Sequence, residues 1–60
     1  MQTYKIMKAF VDERPTMLYG GNDIIKATSI YVAHAKGARI IHELHRGKRI
    51  KRLALTIQKI

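Results

Sequence analysis

Residues 23–46, DIIKATSIYVAHAKGARIIHELHR, decide how this 60-residue chain folds, because they support two different interpretations. Asn22 before them is a good helix N-cap, and Asp23 stands where the helix dipole favours an acid. Apolar residues then recur at helical spacing as far as Gly37, which suits the left-handed position that follows a helix. This pattern predicts a helix over residues 23–36, with Tyr31 on its apolar face.

The residues after Gly37 can continue in either of two ways. In the first, 38–44 and 49–57 are strands joined by a tight turn at 45–48, where Gly47 supplies a positive φ. In the second, one helix runs from residue 23 to residue 46 and accepts a cost of about 1 kcal/mol for an internal glycine. That longer helix would carry one apolar stripe, formed by Ile30, Ala33, Gly37, Ile41 and Leu44. We favour the first arrangement and keep the second as its alternative.

The N-terminal part of the chain predicts a strand and a turn. Residues 4–11 alternate, with Tyr4, Ile6 and Phe10 on one face, and the other face is also largely apolar, as in a central strand. Pro15 marks a turn at 12–15, and residues 16–19 can return as a short edge strand.

These elements predict one domain, residues 1–60, of the α+β class. Its single helix would pack on a small antiparallel sheet in β-β-α-β-β order. The alternative fold is a β-hairpin followed by one long helix and a C-terminal strand.

Size and composition set limits on the protein class. A chain of 60 residues buries only about 60% of its unfolded surface, and this one has no cysteine that could form a disulfide or bind a metal. We therefore expect an economical core or a homodimer. No apolar run approaches the length needed to span a bilayer, so no membrane partner is expected. Residues 1–5 carry no hydrophobic signal core, which predicts a cytoplasmic protein.

Positive charge is concentrated near the C-terminus. The net charge is +8, of which residues 39–60 carry +6, from seven Lys/Arg against one Glu. The densest part is a run of five cations in seven residues: Arg46, Lys48, Arg49, Lys51 and Arg52. Crowded like charges repel one another, and the usual compensation is a polyanion.

The charge pattern predicts non-catalytic binding of DNA or RNA. A basic hairpin at residues 45–52 would contact the phosphate backbone, with Lys36 and Arg39 as outlying members of the same patch. The alternative is a small accessory protein of the phage or plasmid type, which would bind and inhibit an acidic surface of a host protein. A nuclease-treated pull-down separates these two hypotheses.

Other chemistry has little support in the sequence. His42 and His45 are three residues apart, whereas a zinc-protease helix needs histidines four apart, so no metal site is predicted. No nucleophile–base grouping or paired carboxylates can be recognised, and we predict neither enzyme activity nor a cofactor. A helix-turn-helix alignment places Glu43 at a buried position, which argues against that motif.

The aromatic residues are predicted to serve mainly as packing groups. Tyr4, Phe10 and Tyr31 share faces with aliphatic residues, which favours the core over base stacking. Tyr19 is the best candidate for an exposed ring.

Overall fold

The computed structural model describes residues 1–18 and 20–60 and contains one helix packed on a four-stranded antiparallel sheet. This confirms the predicted α+β class. The elements are β1 (Gln2–Val11), β2 (Arg14–Pro15), β3 (Ile24–Ala27), α1 (Ile30–Leu44) and β4 (Leu53–Lys59). Their order is β-β-β-α-β rather than β-β-α-β-β, because one predicted helical segment is a strand and one predicted strand is helical.

Strand β1 is the centre of the sheet, as its two apolar faces predicted. Strand β4 pairs along the whole of one edge, from Tyr4↔Lys59 to Val11↔Leu53. The other edge is shared, since β3 pairs with the first half of β1 and β2 pairs with its end. All three pairings are antiparallel.

A bulge in β1 changes which side chains face the helix. The register with β4 shifts between Ile6 and Lys8, so Met7 is an extra residue on the β1 side. Tyr4 and Ile6 are buried before the bulge, and Ala9 is buried after it. Phe10 therefore turns to the outer face of the sheet, where 38% of its surface is exposed. Its predicted place in the core is wrong for this reason.

A two-residue turn joins β1 to β2. Asp12 and Glu13 have φ values of 50° and 70°, the pair of positive angles found in a type I′ hairpin turn. The predicted turn is present, but the strand after it is Arg14–Pro15 rather than 16–19. The backbone N–H of Thr16 still donates to the Ala9 carbonyl at 2.8 Å. Tyr19, the predicted exposed ring, lies outside the described residues.

The helix begins at Ile30 and not at residue 23. Ser29 is the N-cap, with extended backbone and a side-chain oxygen that accepts from the Val32 N–H at 3.3 Å. Residues 24–27 instead alternate between exposed and buried and pair with β1 as β3. The β-branched pair at Ile24 and Ile25 suits this half-buried strand. Local capping signals at Asn22 and Asp23 were thus outweighed by sheet pairing.

The helix continues through Gly37, which lies against the sheet. A Cβ placed there would be 3.2 Å from Ile57 Cδ1, 3.2 Å from Leu55 Cδ1 and 3.3 Å from Ile25 Cδ1. The glycine therefore permits a close approach between helix and sheet. The predicted strand at 38–44 is wrong, because those residues belong to α1.

The buried face of α1 matches the stripe of the alternative interpretation. Its buried residues are Ala33, Gly37 and Ile41. Tyr31, predicted to face the core, instead points to solvent with 83% of its surface exposed. The described part of the chain contains no helix both long and apolar enough to cross a membrane.

Candidate nucleic-acid interface

Residues 46–52, here called the basic loop, connect α1 to β4 without forming a hairpin. The predicted hairpin at 45–52 required a strand at 38–44, and those residues are helical. The last strand pairs with β1 instead, and its first residue is Leu53. The cations therefore lie on an irregular connection at one end of the sheet, beside the turn at Asp12 and Glu13.

The helix end fixes the first half of the basic loop. The Lys48 N–H donates to the His45 carbonyl at 3.0 Å, and Gly47 takes a φ of 86° between them. The His45 ring Nδ1 lies 3.0 Å from the Ile41 carbonyl oxygen in the last helical turn. The negative end of the helix dipole stabilises cations here, so the helix itself offsets part of the repulsion among them.

Asp12 fixes the second half of the basic loop. One carboxylate oxygen, Oδ1, accepts the backbone N–H groups of Lys51 at 2.9 Å and Arg52 at 2.8 Å. The Asp12 N–H in turn donates to the Arg52 carbonyl at 2.9 Å. The hydrogen bond from the Arg52 backbone is the main reason that the pKa of Asp12 is lowered, and the Lys51 backbone bond acts in the same direction. Ile50, between the two halves, packs against the core.

Carboxylates compensate two of the five cations in the loop. The Arg52 guanidinium lies 3.0 Å from Glu13 Oε1, and the Arg46 guanidinium lies 3.5 Å from Glu43 Oε2. Both ion pairs are largely exposed, with 78% and 85% of the two arginine side chains accessible. Exposed pairs contribute only about 0–1 kcal/mol, so a phosphate can replace either carboxylate at low cost.

Lys48, Arg49 and Lys51 form no ion pair within residues 1–18 and 20–60. The protein has only four acids, and each is already engaged. Asp23 lies 3.9 Å from the Lys5 ammonium, while the other three are those described above. The basic loop thus keeps three exposed cations outside any described ion pair, although the charge of Lys51 helps to lower the pKa of Asp12.

Lys36 does not join the predicted patch. Its ammonium donates to the Lys26 carbonyl at 2.7 Å, which places it at the edge of β3. Eight residues of helical rise separate it from Leu44, the last residue of α1, or about 12 Å along the axis, and the basic loop lies beyond that end. Lys36 therefore lies apart from the basic loop, and its part in binding stays a prediction.

Arg39 lies nearer to the basic loop than Lys36 does. It is exposed and lines a shallow depression with Asn22, Ile40, Glu43 and Leu44. Glu43 is the residue that pairs with Arg46, so Arg39 borders the loop on the helix side.

Phe10 is a candidate contact residue that sequence reasoning missed. It lines a surface depression with Glu13, Arg52, Leu53 and Ala54, and its ring is partly exposed there. The bulge at Met7 turns it outward, and period-2 alternation gives no sign of such a shift. An aromatic ring therefore lies directly beside the basic loop.

Among the described residues, no group of three or more His, Cys, Asp or Glu side chains is placed to hold a metal ion. Comparisons with protein-family models, curated proteins and solved structures found no match to this chain. A functional assignment therefore depends on the chemistry of its own surface.

Proposed function

We propose that this protein binds nucleic acid without catalysis, through contacts between the basic loop and backbone phosphates. The observation that supports the proposal most strongly is the set of three exposed cations outside any described ion pair, on a segment held at both ends. Lys48, Arg49 and Lys51 are exposed, and the backbone that carries them is fixed by hydrogen bonds that its N–H groups donate to the His45 carbonyl and the Asp12 carboxylate. A fixed backbone reduces the conformational entropy that binding would otherwise cost.

The two paired arginines extend the same surface. Arg46 and Arg52 can exchange an exposed carboxylate for a phosphate, which a guanidinium binds through two parallel hydrogen bonds. Phe10 beside Arg52 offers an apolar contact to a sugar or to an unstacked base. Phosphate contacts fix position rather than sequence, so we expect modest sequence preference.

The direct test is binding of fluorescently labelled DNA and RNA by purified protein at low salt. We expect both to bind, and replacement of all five cations of the basic loop by glutamine should abolish binding. Circular dichroism should show that this variant keeps its fold, because no loop cation is buried. Unchanged binding by the folded variant would refute the site.

The second class of partner, an acidic surface on another protein, would use the same side chains. A pull-down from nuclease-treated lysate distinguishes the two. Loss of all captured material on nuclease treatment supports the nucleic-acid proposal. Retention of one dominant acidic protein, together with failure to bind labelled nucleic acid, contradicts it and supports the accessory-protein hypothesis.

A further inference from the structure

The two outer edges of the sheet differ in how they are protected. On one side, Lys36 caps the Lys26 carbonyl of β3 at 2.7 Å, and β2 contains Pro15, which has no N–H. On the other side, β1 is the only strand among the described residues that pairs with β4. Its residues 53–58, LALTIQ, contain no charge and no proline, and the bulge lies on β1. Lysine, proline and bulges are the usual devices that keep an edge strand from pairing, and β4 has none of them before Lys59.

The open edge of β4 carries a regular row of backbone donors and acceptors. The Ile60 N–H donates to Thr3 and the Arg52 carbonyl accepts from Asp12, so even-numbered residues of β4 face β1. The N–H and C=O groups of the odd-numbered residues 53, 55, 57 and 59 therefore point to the free edge. No described group bonds to them.

We propose that a second copy of this chain occupies the β4 edge, forming a two-fold symmetric dimer with a continuous antiparallel sheet. A two-fold axis at Thr56 places residue 53 opposite 59 and residue 55 opposite 57. All four odd-numbered residues then pair in each strand, which satisfies the whole row of backbone groups. Because the opposite edge is protected, the assembly closes at two copies.

The side chains that this register brings together are compatible. On the helix side, Leu55 of each copy lies opposite Ile57 of the other, and both are only partly buried in the monomer. On the outer face, Thr56 lies opposite Thr56 of the second copy, and directly opposed threonines on antiparallel strands stabilise the pairing. No two like charges are placed opposite each other.

The dimer also fixes the spacing of the two basic loops. The hydrogen bond between the Asp12 N–H and the Arg52 carbonyl continues the β1–β4 pairing to residue 52, next to Lys51. Lys51 is five residues from the axis, so two copies of it lie about 34 Å apart at about 3.4 Å per residue. That is about one helical turn of B-DNA, the spacing at which dimeric proteins contact successive grooves on one face. It also exceeds the Debye length of about 8 Å at physiological ionic strength, so the two loops repel each other little. This spacing argument rests on the proposed function, whereas the dimer itself does not.

Substitution of Thr56 tests the interface without altering the core, because its side chain is exposed on the outer face. Thr56→Glu places a carboxylate beside Lys8, its partner on β1, and opposite its own mate in the dimer. We expect sedimentation equilibrium to show a dimer for the unmodified protein between micromolar and millimolar concentration. Thr56→Glu and Thr56→Lys should each be monomeric, Thr56→Gln should remain dimeric, and an equal mixture of the two charged variants should regain dimers. A monomeric unmodified protein, or charged variants that dimerise normally, would overturn the interface.

A DNA titration separates the spacing argument from the dimer. The unmodified protein should bind a duplex of about 20 base pairs at least tenfold more tightly than one of about 10 base pairs, since only the longer duplex reaches both loops. Each charged variant should lose this length preference, and their mixture should regain it. A dimer without length preference overturns the spacing argument. A dimer that binds no nucleic acid at low salt overturns the proposed function and leaves the interface standing.

Discussion

Replacement of Lys48, Arg49 and Lys51 by glutamine isolates the part of the basic loop that forms no ion pair with a described carboxylate. On duplex DNA each phosphate contact contributes about −0.9 to the slope of log affinity against log salt, so three contacts give about −2.7. If Arg46 and Arg52 also leave their carboxylates, five contacts give about −4.5. Between 50 and 200 mM salt, these slopes correspond to losses of about 40-fold and about 500-fold.

The assay is fluorescence anisotropy with a labelled duplex of about 10 base pairs, which reaches only one basic loop, read at several salt concentrations between these limits. The unmodified protein should give a slope between the two values, and the triple variant a slope shallower by about 2.7. The matched control replaces Lys8, Lys26 and Lys59, which form no ion pair among the described residues, and it lowers the net charge from +8 to the same +5. We expect the control to retain most of the slope.

The comparison between the two triple variants shows whether binding depends on the basic loop or on net charge alone. If both lose the same slope, net charge alone drives binding and the basic loop has no special role. A triple loop variant with an unchanged slope would refute the reasoning outright.

Four further changes test the parts that hold the basic loop and the fold. Glu13→Asn places a residue type that tolerates positive φ at this turn position and removes the carboxylate that pairs with Arg52. The slope of log affinity against log salt should therefore steepen by about 0.9, whereas a shallower slope would show that the ion pair positions the loop. Asp12→Asn removes a carboxylate whose pKa is lowered on folding. Its stabilising effect is complete above the unfolded pKa of about 3.9 and is lost as pH falls through the folded pKa, so urea titrations of the two proteins should differ at pH 7 and converge in acid, below the folded pKa; a constant difference contradicts the role of the charge. Ser29→Ala removes the N-cap and should lower the free energy of unfolding by about 1 kcal/mol, whereas no change would mean that the 3.3 Å hydrogen bond contributes nothing. Gly37→Val overpacks the contact with Leu55 and Ile57 and should cost about 1–3 kcal/mol in thermal unfolding, and an unaffected variant would disprove the close approach.

The sequence predicted the fold class and the central strand because those features follow from apolar periodicity and turn residues. It misplaced the helix because Asn22, Asp23 and Gly37 are good terminal signals in isolation. Pairing of residues 24–27 with β1 and contact of Gly37 with three sheet side chains are tertiary effects, and they outweighed those signals. The helical stripe through Ala33, Gly37 and Ile41 is visible in the sequence. Its packing against the sheet outweighs the cost of about 1 kcal/mol for a glycine inside the helix.

The position of the basic loop in the chain was predictable, but its surroundings were not. Five cations in seven residues are apparent from composition alone. Asp12 and Glu13, which bind Lys51 and Arg52, are 39 residues away in the chain, and no local rule links them. The exposure of Phe10 depends on a single extra residue in β1, which alternation does not reveal. Long-range contacts of this kind explain why the positive charge was identified, whereas the hairpin predicted to carry it was wrong.

The central claim is that the basic loop is the surface that meets a polyanion, and NMR titration of isotopically labelled protein with DNA tests it most directly. We predict that the largest amide shifts fall within residues 46–52, with smaller ones at Asp12, which accepts hydrogen bonds from the loop, and at Phe10, which lines a depression with Arg52. Shifts centred on the distant helix start around Tyr31, or no shifts at low salt, would contradict the claim.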